Sequence, residues 1–300
     1  ANPCPVDIDF GDVSIRMRKI LTERGQKRSS LATRAAMAFL NAKDPRTVHA
    51  LRKGVVEWGA KAQVLGYDLA KRFGLVGRAE IPAATTGKMP LKAQVVHFVK
   101  KPMPRGLPAQ TTRQMLGLED PKLVPILRDP ARAAEDADAV FYFPGCGSER
   151  LFSQVGLATL AMLFDVGAQT VLPPGYLCCG YPQTSAGDHA RGNAITTENR
   201  VLFHRVANTL NYLDIKTVIV SCGTCMDQLL RYEFERIFPG CRLLDIHEYL
   251  MEKGVSLDGV PGVKYLYHDP CHTPMKVHNP VTVASKLLGG AEVRLSERCC

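Results

Sequence analysis

The sequence lacks the features that place a protein in a membrane or mark it for export. No stretch approaches the run of about 18 apolar residues needed to cross a bilayer. The first residues, Ala1-Asn2-Pro3-Cys4-Pro5, lack the charged segment followed by an apolar one that a signal peptide has. Because neither insertion nor secretion is indicated, we predict a cytoplasmic protein without a transmembrane segment, for which peripheral membrane contact stays open.

The sequence also has few signs of nucleic-acid binding, although its net charge is +9. Residues 1–130 carry a charge balance of +12 and residues 131–300 a balance of −3, so the basic part is a separate region. Its Lys and Arg residues are dispersed, and no RNP, zinc-finger or glycine-rich single-strand motif accompanies them. We therefore expect no nucleic acid as a partner, and favour docking to an acidic partner domain or a solvated helical face.

Cysteine is almost absent from the first half of the chain and frequent in the second. Nine of the ten cysteines lie from Cys146 onward, and two pairs, Cys178-Cys179 and Cys299-Cys300, are adjacent. A disulfide scaffold would be short and rich in loops, and adjacent cysteines have poor geometry for an ordinary bridge. Reduced thiols that bind a metal fit this pattern better.

The hydrophobic pattern divides the chain into four segments. Residues 1–76 are predicted to be a helical region, in which Asp44-Pro45 begins a helix and Gly74 follows the end of another. Residues 77–137 are rich in Pro and Gly and are predicted to be an extended linker. Residues 138–260 alternate short β-rich runs with helical stretches, and residues 261–300 begin the same pattern again. This alternation predicts an α/β fold with a parallel sheet.

The predicted elements after Asp138 are short strands separated by longer helices. The strands are Ala139–Phe143, Gln169–Leu172, Lys216–Val220, Cys241–Ile246 and Lys264–Tyr267. The helices between them are Leu151–Phe164, Ala190–Leu213 and Met226–Phe238.

Five cysteines follow the ends of three predicted strands. Cys146 follows the first strand, Cys178-Cys179 the second, and Cys222-Gly223-Thr224-Cys225 the third. Because the carboxyl ends of parallel strands meet at one edge of a sheet, we expect these sulfurs to converge there. The neighbouring glycines allow close approach of the main chain, and the helix after Cys225 presents its positive end to the sulfurs. Five cysteines at three strand ends indicate a shared metal site far more strongly than one CxxC pair does.

The order and spacing of these cysteines resemble the cysteine-rich CCG family. Its members include the cysteine-rich subunit of heterodisulfide reductase, the iron–sulfur subunits of glycolate oxidase and of anaerobic glycerol-3-phosphate dehydrogenase, and lactate-utilisation proteins. The family pattern is Cys, about thirty residues, Cys-Cys-Gly, about forty residues, then CxxC, usually present twice; here the two intervals are 31 and 42 residues. The resemblance implies parallel-sheet CCG modules in tandem and a 4Fe-4S cluster, cubane or non-cubane. The implied ligands are Cys146, Cys178, Cys179, Cys222 and Cys225.

A second copy of the pattern begins near Tyr265, and 27 residues separate Cys271 from the pair Cys299-Cys300. It resembles the start of a truncated second module, so Cys271, Cys299 and Cys300 are expected to form an incomplete second site. His268 and His272 flank Cys271, where they either tune that site or serve as hydrogen-bonded structural residues.

Two cysteines lie outside the repeated pattern. Cys4, in Asn2-Pro3-Cys4-Pro5, resembles the last ligand of a bacterial dicluster ferredoxin motif. We therefore expect a piece of a longer protein with ferredoxin-type clusters upstream. Cys241 is interpreted as a small buried apolar residue.

The resemblance implies an oxidoreductase component rather than a complete enzyme. The chain would be the iron–sulfur electron-transfer portion of a flavin-linked oxidoreductase, with FAD on a partner domain or subunit that oxidises a 2-hydroxy acid such as lactate or glycolate. Two alternatives stay open: disulfide reduction at a cluster, as in heterodisulfide reductase, and a zinc-stabilised module that only docks a partner. A thioredoxin-like reaction of Cys222 and Cys225 alone would leave the other three cysteines unexplained.

Overall fold

The structure, a computed structural model, describes residues 10–28, 31–76, 99–100, 106–132, 137–260 and 262–296. These residues belong to two compact units. The first unit takes in the described residues up to Ala109 together with Pro182–Ala194. The second takes in Gln110–Tyr181 together with the described residues from Ile195 onward.

The amino-terminal unit is helical, as its apolar spacing predicted. Its helices are α1 (Phe10–Glu23), α2 (Leu31–Asn41), α3 (Pro45–Leu51) and α4 (Gly59–Arg72), with a π-helical stretch, Arg52–Trp58, before α4. Asp44 caps α3 because its carboxylate accepts a hydrogen bond from the Thr47 N–H at 2.8 Å, and Pro45 occupies the first turn. The turn after α4 passes through Gly74, whose φ of +68° favours glycine.

The remaining elements alternate strands with helices. Up to the end of the large sheet they are α5 (Thr112–Leu116), β1 (Ile126–Leu127), β2 (Ala139–Phe143), α6 (Ser153–Asp165), β3 (Gln169–Val171), α7 (Tyr181–Ser185), α8 (His189–Thr209), β4 (Thr217–Val220), α9 (Gly223–Leu229) and β5 (Arg242–Asp245). They are followed by α10 (Ile246–Glu252), β6 (Tyr265–Tyr267), α11 (Pro280–Leu287) and β7 (Val293–Leu295).

A five-stranded sheet in the order β1-β3-β2-β4-β5 forms the centre of the second unit. Strands β2, β3, β4 and β5 are parallel, and β1 is antiparallel to β3. The predicted α/β fold and its parallel sheet are therefore confirmed. Every residue of β2, β3 and β4 is buried, as expected of strands covered on both faces.

Alternate side chains of β2 supply the two hydrophobic layers of this unit. Phe141 and Phe143 point into one layer, which also contains Phe203, and Val140 and Tyr142 point into the other. The rings of Phe141 and Phe203 meet edge to face with centroids 5.0 Å apart. Packing on both faces holds the strand ends, and therefore the cysteines that follow them, in a rigid frame.

The predicted helix Met226–Phe238 is wrong in its second half. Helix α9 ends at Leu229, and two short 3₁₀ turns, Leu230–Tyr232 and Phe234–Arg236, take its place. Glu233 between them adopts a left-handed φ of +53°, which breaks the helical path. The break brings the rings of Tyr232 and Phe234 into a stacked pair 5.9 Å apart inside the core. Tertiary packing here outweighs the local helical pattern.

The predicted linker, residues 77–137, is described only in part. Within it, residues 106–132 carry α5 and β1, and β1 pairs with the edge of the large sheet. The domain boundaries drawn from the sequence stay a prediction.

Strands β6 and β7 form a separate parallel pair joined through α11. This small sheet is far more open than the large one, since Leu266 and Leu295 on it are 71% and 56% exposed. In the part of the chain that the structure describes, no helix is long and apolar enough to cross a membrane.

Candidate metal centre

The five cysteines of the first module lie together at the carboxyl edge of the large sheet, in the second unit. Cys146 stands three residues after β2, Cys178-Cys179 follow the loop that leaves β3, and Cys222 follows β4. Cys225 lies in the first turn of α9. Four of the five are buried, and Cys222 is partly exposed. The convergence predicted from the strand ends is present.

The sulfurs form a continuous chain of neighbours. The Sγ atoms of Cys146 and Cys178 are 3.8 Å apart. Cys178 interacts in turn with Cys179, Cys179 with Cys225, and Cys225 with Cys222. Hydrogen bonds between sulfurs thus connect all three strand ends.

These contacts divide the thiols into two sets by their acidity. Hydrogen bonds from Cys146 and Cys179, together with the N–H of Gly180, lower the pKa of Cys178 to about 3. A hydrogen bond from Cys225, helped by Thr224, lowers the pKa of Cys222 to about 5. The same sulfur contacts, together with burial, raise the pKa values of the other three thiols, Cys146, Cys179 and Cys225. The site therefore holds thiolates at neutral pH, and the thiolate is the form that binds metal.

Two glycines make this close approach possible. Gly145 has a φ of +69°, and a Cβ on it would lie 2.6 Å from the sulfur of Cys225. A Cβ on Gly223 would lie 1.7 Å from the carbonyl oxygen of His272, so the segment after Cys271 packs against the first turn of α9. Any larger residue would displace either a sulfur or the neighbouring main chain.

Two residues that sequence reasoning missed hold the adjacent pair in place. The Asn199 side-chain amide donates to the carbonyl of Cys178 at 2.8 Å and to Tyr232 Oη at 3.0 Å. Tyr232 Oη donates to the carbonyl of Cys179 at 2.8 Å. The sequence offered no signal for Asn199, because its burial, and hence its need for partners, is decided by how α8 packs.

The other predicted site residues are distributed differently. Cys271 is exposed and is not part of the sulfur chain. Its neighbour His272 reaches the first module, where Nε2 lies 2.8 Å from Tyr181 Oη and Nδ1 hydrogen-bonds Asp227. Cys241 is only partly buried, outside the site, and burial raises its pKa to about 11. Cys4, Cys299 and Cys300 lie outside the described residues.

The donor set can be tested against the kinds of metal group it could hold. Among the residues that the structure describes, no three His, Cys, Asp or Glu side chains are arranged to hold a single metal ion. The site instead offers five neighbouring thiols, two of which have a lowered pKa. A tetrahedral zinc ion takes only four ligands. Thiolates with backbone N–H donors and little water are what iron–sulfur clusters require, so the residues present fit such a group.

The fold and the site define a cysteine-rich α/β module that gathers thiols at the edge of a parallel sheet. Residues 140–230 match the family model described as a cysteine-rich domain, CCG. Residues 140–230 thus match a CCG cysteine-rich domain, as the cysteine spacing predicted.

Several curated proteins are similar to this chain. A probable glycolate oxidase iron–sulfur subunit of Bacillus subtilis is 30% identical over 181 residues, covering 54% of this chain and 39% of that protein. An uncharacterised iron–sulfur protein of Methanococcus maripaludis is 26% identical, covering 54% of this chain and 32% of its own length. One subunit of the fumarate reductase (CoM/CoB) of Methanothermobacter marburgensis is 29% identical, covering 44% of this chain and 25% of its own length.

The chain therefore spans between about a quarter and two fifths of the length of the curated relatives that it matches. No solved structure matches it.

Proposed function

We propose that this chain is the iron–sulfur electron-transfer part of a flavin-linked oxidoreductase. Its cluster would be a 4Fe-4S group, cubane or non-cubane, held by Cys146, Cys178, Cys179, Cys222 and Cys225. The observation that carries the proposal is the continuous chain of five sulfurs at one sheet edge. The iron–sulfur proteins among the relatives support it. When bound, such a cluster supplies one-electron chemistry.

The chain's own residues would hold and insulate that group. Asn199 and Tyr232 fix the main chain of the Cys178-Cys179 pair, so its sulfurs keep their direction. Burial of four of the five cysteines excludes water, and Cys222 alone is partly exposed. We therefore expect electrons to enter or leave on the Cys222 side.

The donor and the substrate belong to the rest of the proposed assembly. We propose FAD on a partner domain or subunit, oxidation there of a 2-hydroxy acid such as lactate or glycolate, and a cytoplasmic location. The similarity to a probable glycolate oxidase iron–sulfur subunit supports this choice. Cys4 would belong to ferredoxin-type clusters upstream, and Cys271, Cys299 and Cys300 to a second site.

Anaerobic reconstitution with iron and sulfide tests the proposal. We expect a brown protein with about four iron atoms and as many sulfides bound by the first module, bleached by dithionite and reduced by photoreduced free flavin. The matched control is the double variant Cys178→Ser/Cys179→Ser, which should bind far less iron. Stoichiometric zinc without iron would support a zinc-stabilised docking module instead.

Reduction of a disulfide at the cluster is the second candidate function. The partly exposed Cys222 favours it, because a substrate sulfur could approach on that side. Turnover of a small disulfide by the dithionite-reduced protein, absent from the double serine variant, would support this candidate. Reduction by flavin without disulfide turnover would leave electron transfer as the function.

A further inference from the structure

Among the charged side chains buried in the second unit, two lie in the turn that follows Cys146 and a third contacts one of them. Arg113, Glu149 and Arg150 are 1%, 2% and 0% exposed. Burying a charge costs several kcal/mol unless an opposite charge and hydrogen bonds offset it. The partners of each buried side chain therefore show how its charge is compensated.

Arg113 and Glu149 neutralise each other. Arg113 Nε binds Glu149 Oε1 directly. Its other nitrogens donate to the carbonyl of Pro173 at 2.7 Å and to that of Leu118 at 3.2 Å. Burial raises the pKa of Glu149 while both arginines oppose that shift. Whatever the protonation of Glu149, the group of three keeps at least one positive charge, because arginine does not lose its proton in proteins.

Arg150 is placed next to two of the cysteine-bearing segments. It lies four residues after Cys146, in the π-helical turn Gly147–Leu151. Its guanidinium carbon is 5.4 Å from the centre of the ring of Tyr176, which stands two residues before Cys178. Tyr176 is itself fixed, since its hydroxyl lies 2.6 Å from both Thr111 Oγ1 and the partly exposed carboxylate of Glu119. The guanidinium is therefore held between the loops that carry Cys146 and Cys178.

The position of Arg150 puts one buried cation beside the segments that carry two of the five cysteines. A buried cation needs negative charge close to it, and thiolates around an iron–sulfur core would supply that charge because such a site is anionic as a whole.

We propose that Arg150 is the electrostatic partner of the cluster bound by the five cysteines, and that its charge raises the reduction potential of that cluster. The inference rests on the proposed iron–sulfur function. Reduction adds one electron and breaks no bond, so the site becomes more negative by one charge. A nearby cation stabilises that added charge more strongly in a medium of low dielectric constant than it would in water. Arg150 would thus tune the site through its charge.

Redox titration of the reconstituted full chain tests this role. The variants are Arg150→Met, which removes the charge and keeps an unbranched side chain, and Arg150→Lys, which keeps the charge. Arg231→Met, at an exposed position of the same unit, is the matched control. At the wild-type midpoint we expect about a tenfold lower ratio of reduced to oxidised cluster in Arg150→Met, which is 59 mV for one electron. Arg150→Lys and Arg231→Met should stay close to the wild type.

Arg150→Gln provides a second measurement, because it also removes the charge but keeps a polar side chain. It too should lower the midpoint potential. If Arg150→Met holds no cluster, Arg150→Gln decides: a lowered potential supports the role of Arg150, and an unchanged or raised one overturns it. An unchanged potential in Arg150→Met with normal iron content also overturns it. Wild-type protein that binds no iron would instead refute the proposed function.

Discussion

In two regions of the second unit, a cysteine follows a strand that belongs to a parallel pair. The regions differ in how deeply the cysteines and strands are buried. Around β2, β3 and β4, four of the five cysteines are buried and connected through their sulfurs. Around β6 and β7, Cys271 is exposed and the strands are open to solvent. The local pattern of strand, cysteine, helix and strand is the same in both.

The two regions differ in what surrounds the strand-end motif. Strand β2 has neighbours on both sides, β3 and β4, and each of the three contributes a loop with cysteines. Within the described residues, the small sheet has one pair of strands and one loop with a cysteine, Cys271. In the first module, three adjacent strand ends and two hydrophobic layers hold the thiols together.

The largest expected difference between the two regions concerns iron. Cys178→Ser removes the sulfur that connects Cys146 to Cys179, so we expect loss of most of the iron and of the visible absorbance after anaerobic reconstitution. Cys271→Ser should keep the iron of the first module, and Cys241→Ser, a control outside both sites, should behave as the wild type. Iron and sulfide analysis per chain measures this. Equal losses in Cys178→Ser and Cys271→Ser would contradict the distinction between the regions.

The second effect concerns the close approach of main chain to sulfur. Gly145→Ala places a Cβ 2.6 Å from the Cys225 sulfur, at a residue whose φ is +69°. Gly254→Ala is the control, because its φ of +75° is similar but the added Cβ would have no atom within 4 Å. We expect both to lose about 1–2 kcal/mol in the free energy of unfolding from the backbone alone. Only Gly145→Ala should also lose cluster content, as iron analysis would show. Normal iron in Gly145→Ala would mean that the sulfur can move away without cost.

The third effect tests the connection between the regions. Buried Glu248 accepts hydrogen bonds from the N–H groups of Val277 and His278, both at 2.8 Å, and caps α10 through the N–H of Asp245. Glu248→Ala leaves three donors without this partner, and we expect a loss of about 2–3 kcal/mol in the free energy of unfolding. The control is Glu292→Ala at an exposed ion pair, expected to be nearly neutral. Denaturant titration compares them, and equal midpoints would show that Glu248 is dispensable.

The smallest effect depends on pH at the same connection. His247 Nδ1 lies 2.6 Å from the buried carboxylate of Asp245, and this hydrogen bond raises the pKa of His247. The charged form is therefore favoured by folding, so its stabilisation is present below about pH 6.5 and is lost as pH rises through the folded-state pKa. Because the ring is half exposed, solvent screens the pair and we expect at most about 0.5 kcal/mol.

Thermal or denaturant unfolding of His247→Gln against the wild type measures this pH effect. The stability difference should be larger at about pH 5.5 than at about pH 8.5. A difference that grows with pH would contradict the assigned direction of the shift.

Much of the candidate site followed from the sequence, because cysteine spacing and strand ends are local properties. Cys146, Cys178-Cys179 and the Cys222–Cys225 segment could be placed at one edge once β2, β3 and β4 were recognised as parallel strands. The residues that act on them could not be found in this way. Asn199 and Arg150 are separated from Cys178 by 20 residues or more in the sequence, and only folding brings them near it.

By itself the sequence determined the α/β alternation, the helical first region and the positions of the thiols, since hydrophobic period and glycine–cysteine motifs act over a few residues. The tertiary structure decided which thiols are buried, which are acidic, and where the helix predicted over Met226–Phe238 stops. Burial and pKa depend on neighbours from several strands at once. The left-handed Glu233, which ends the helical path and lets Tyr232 stack on Phe234 in the core, likewise depends on packing and not on the local pattern.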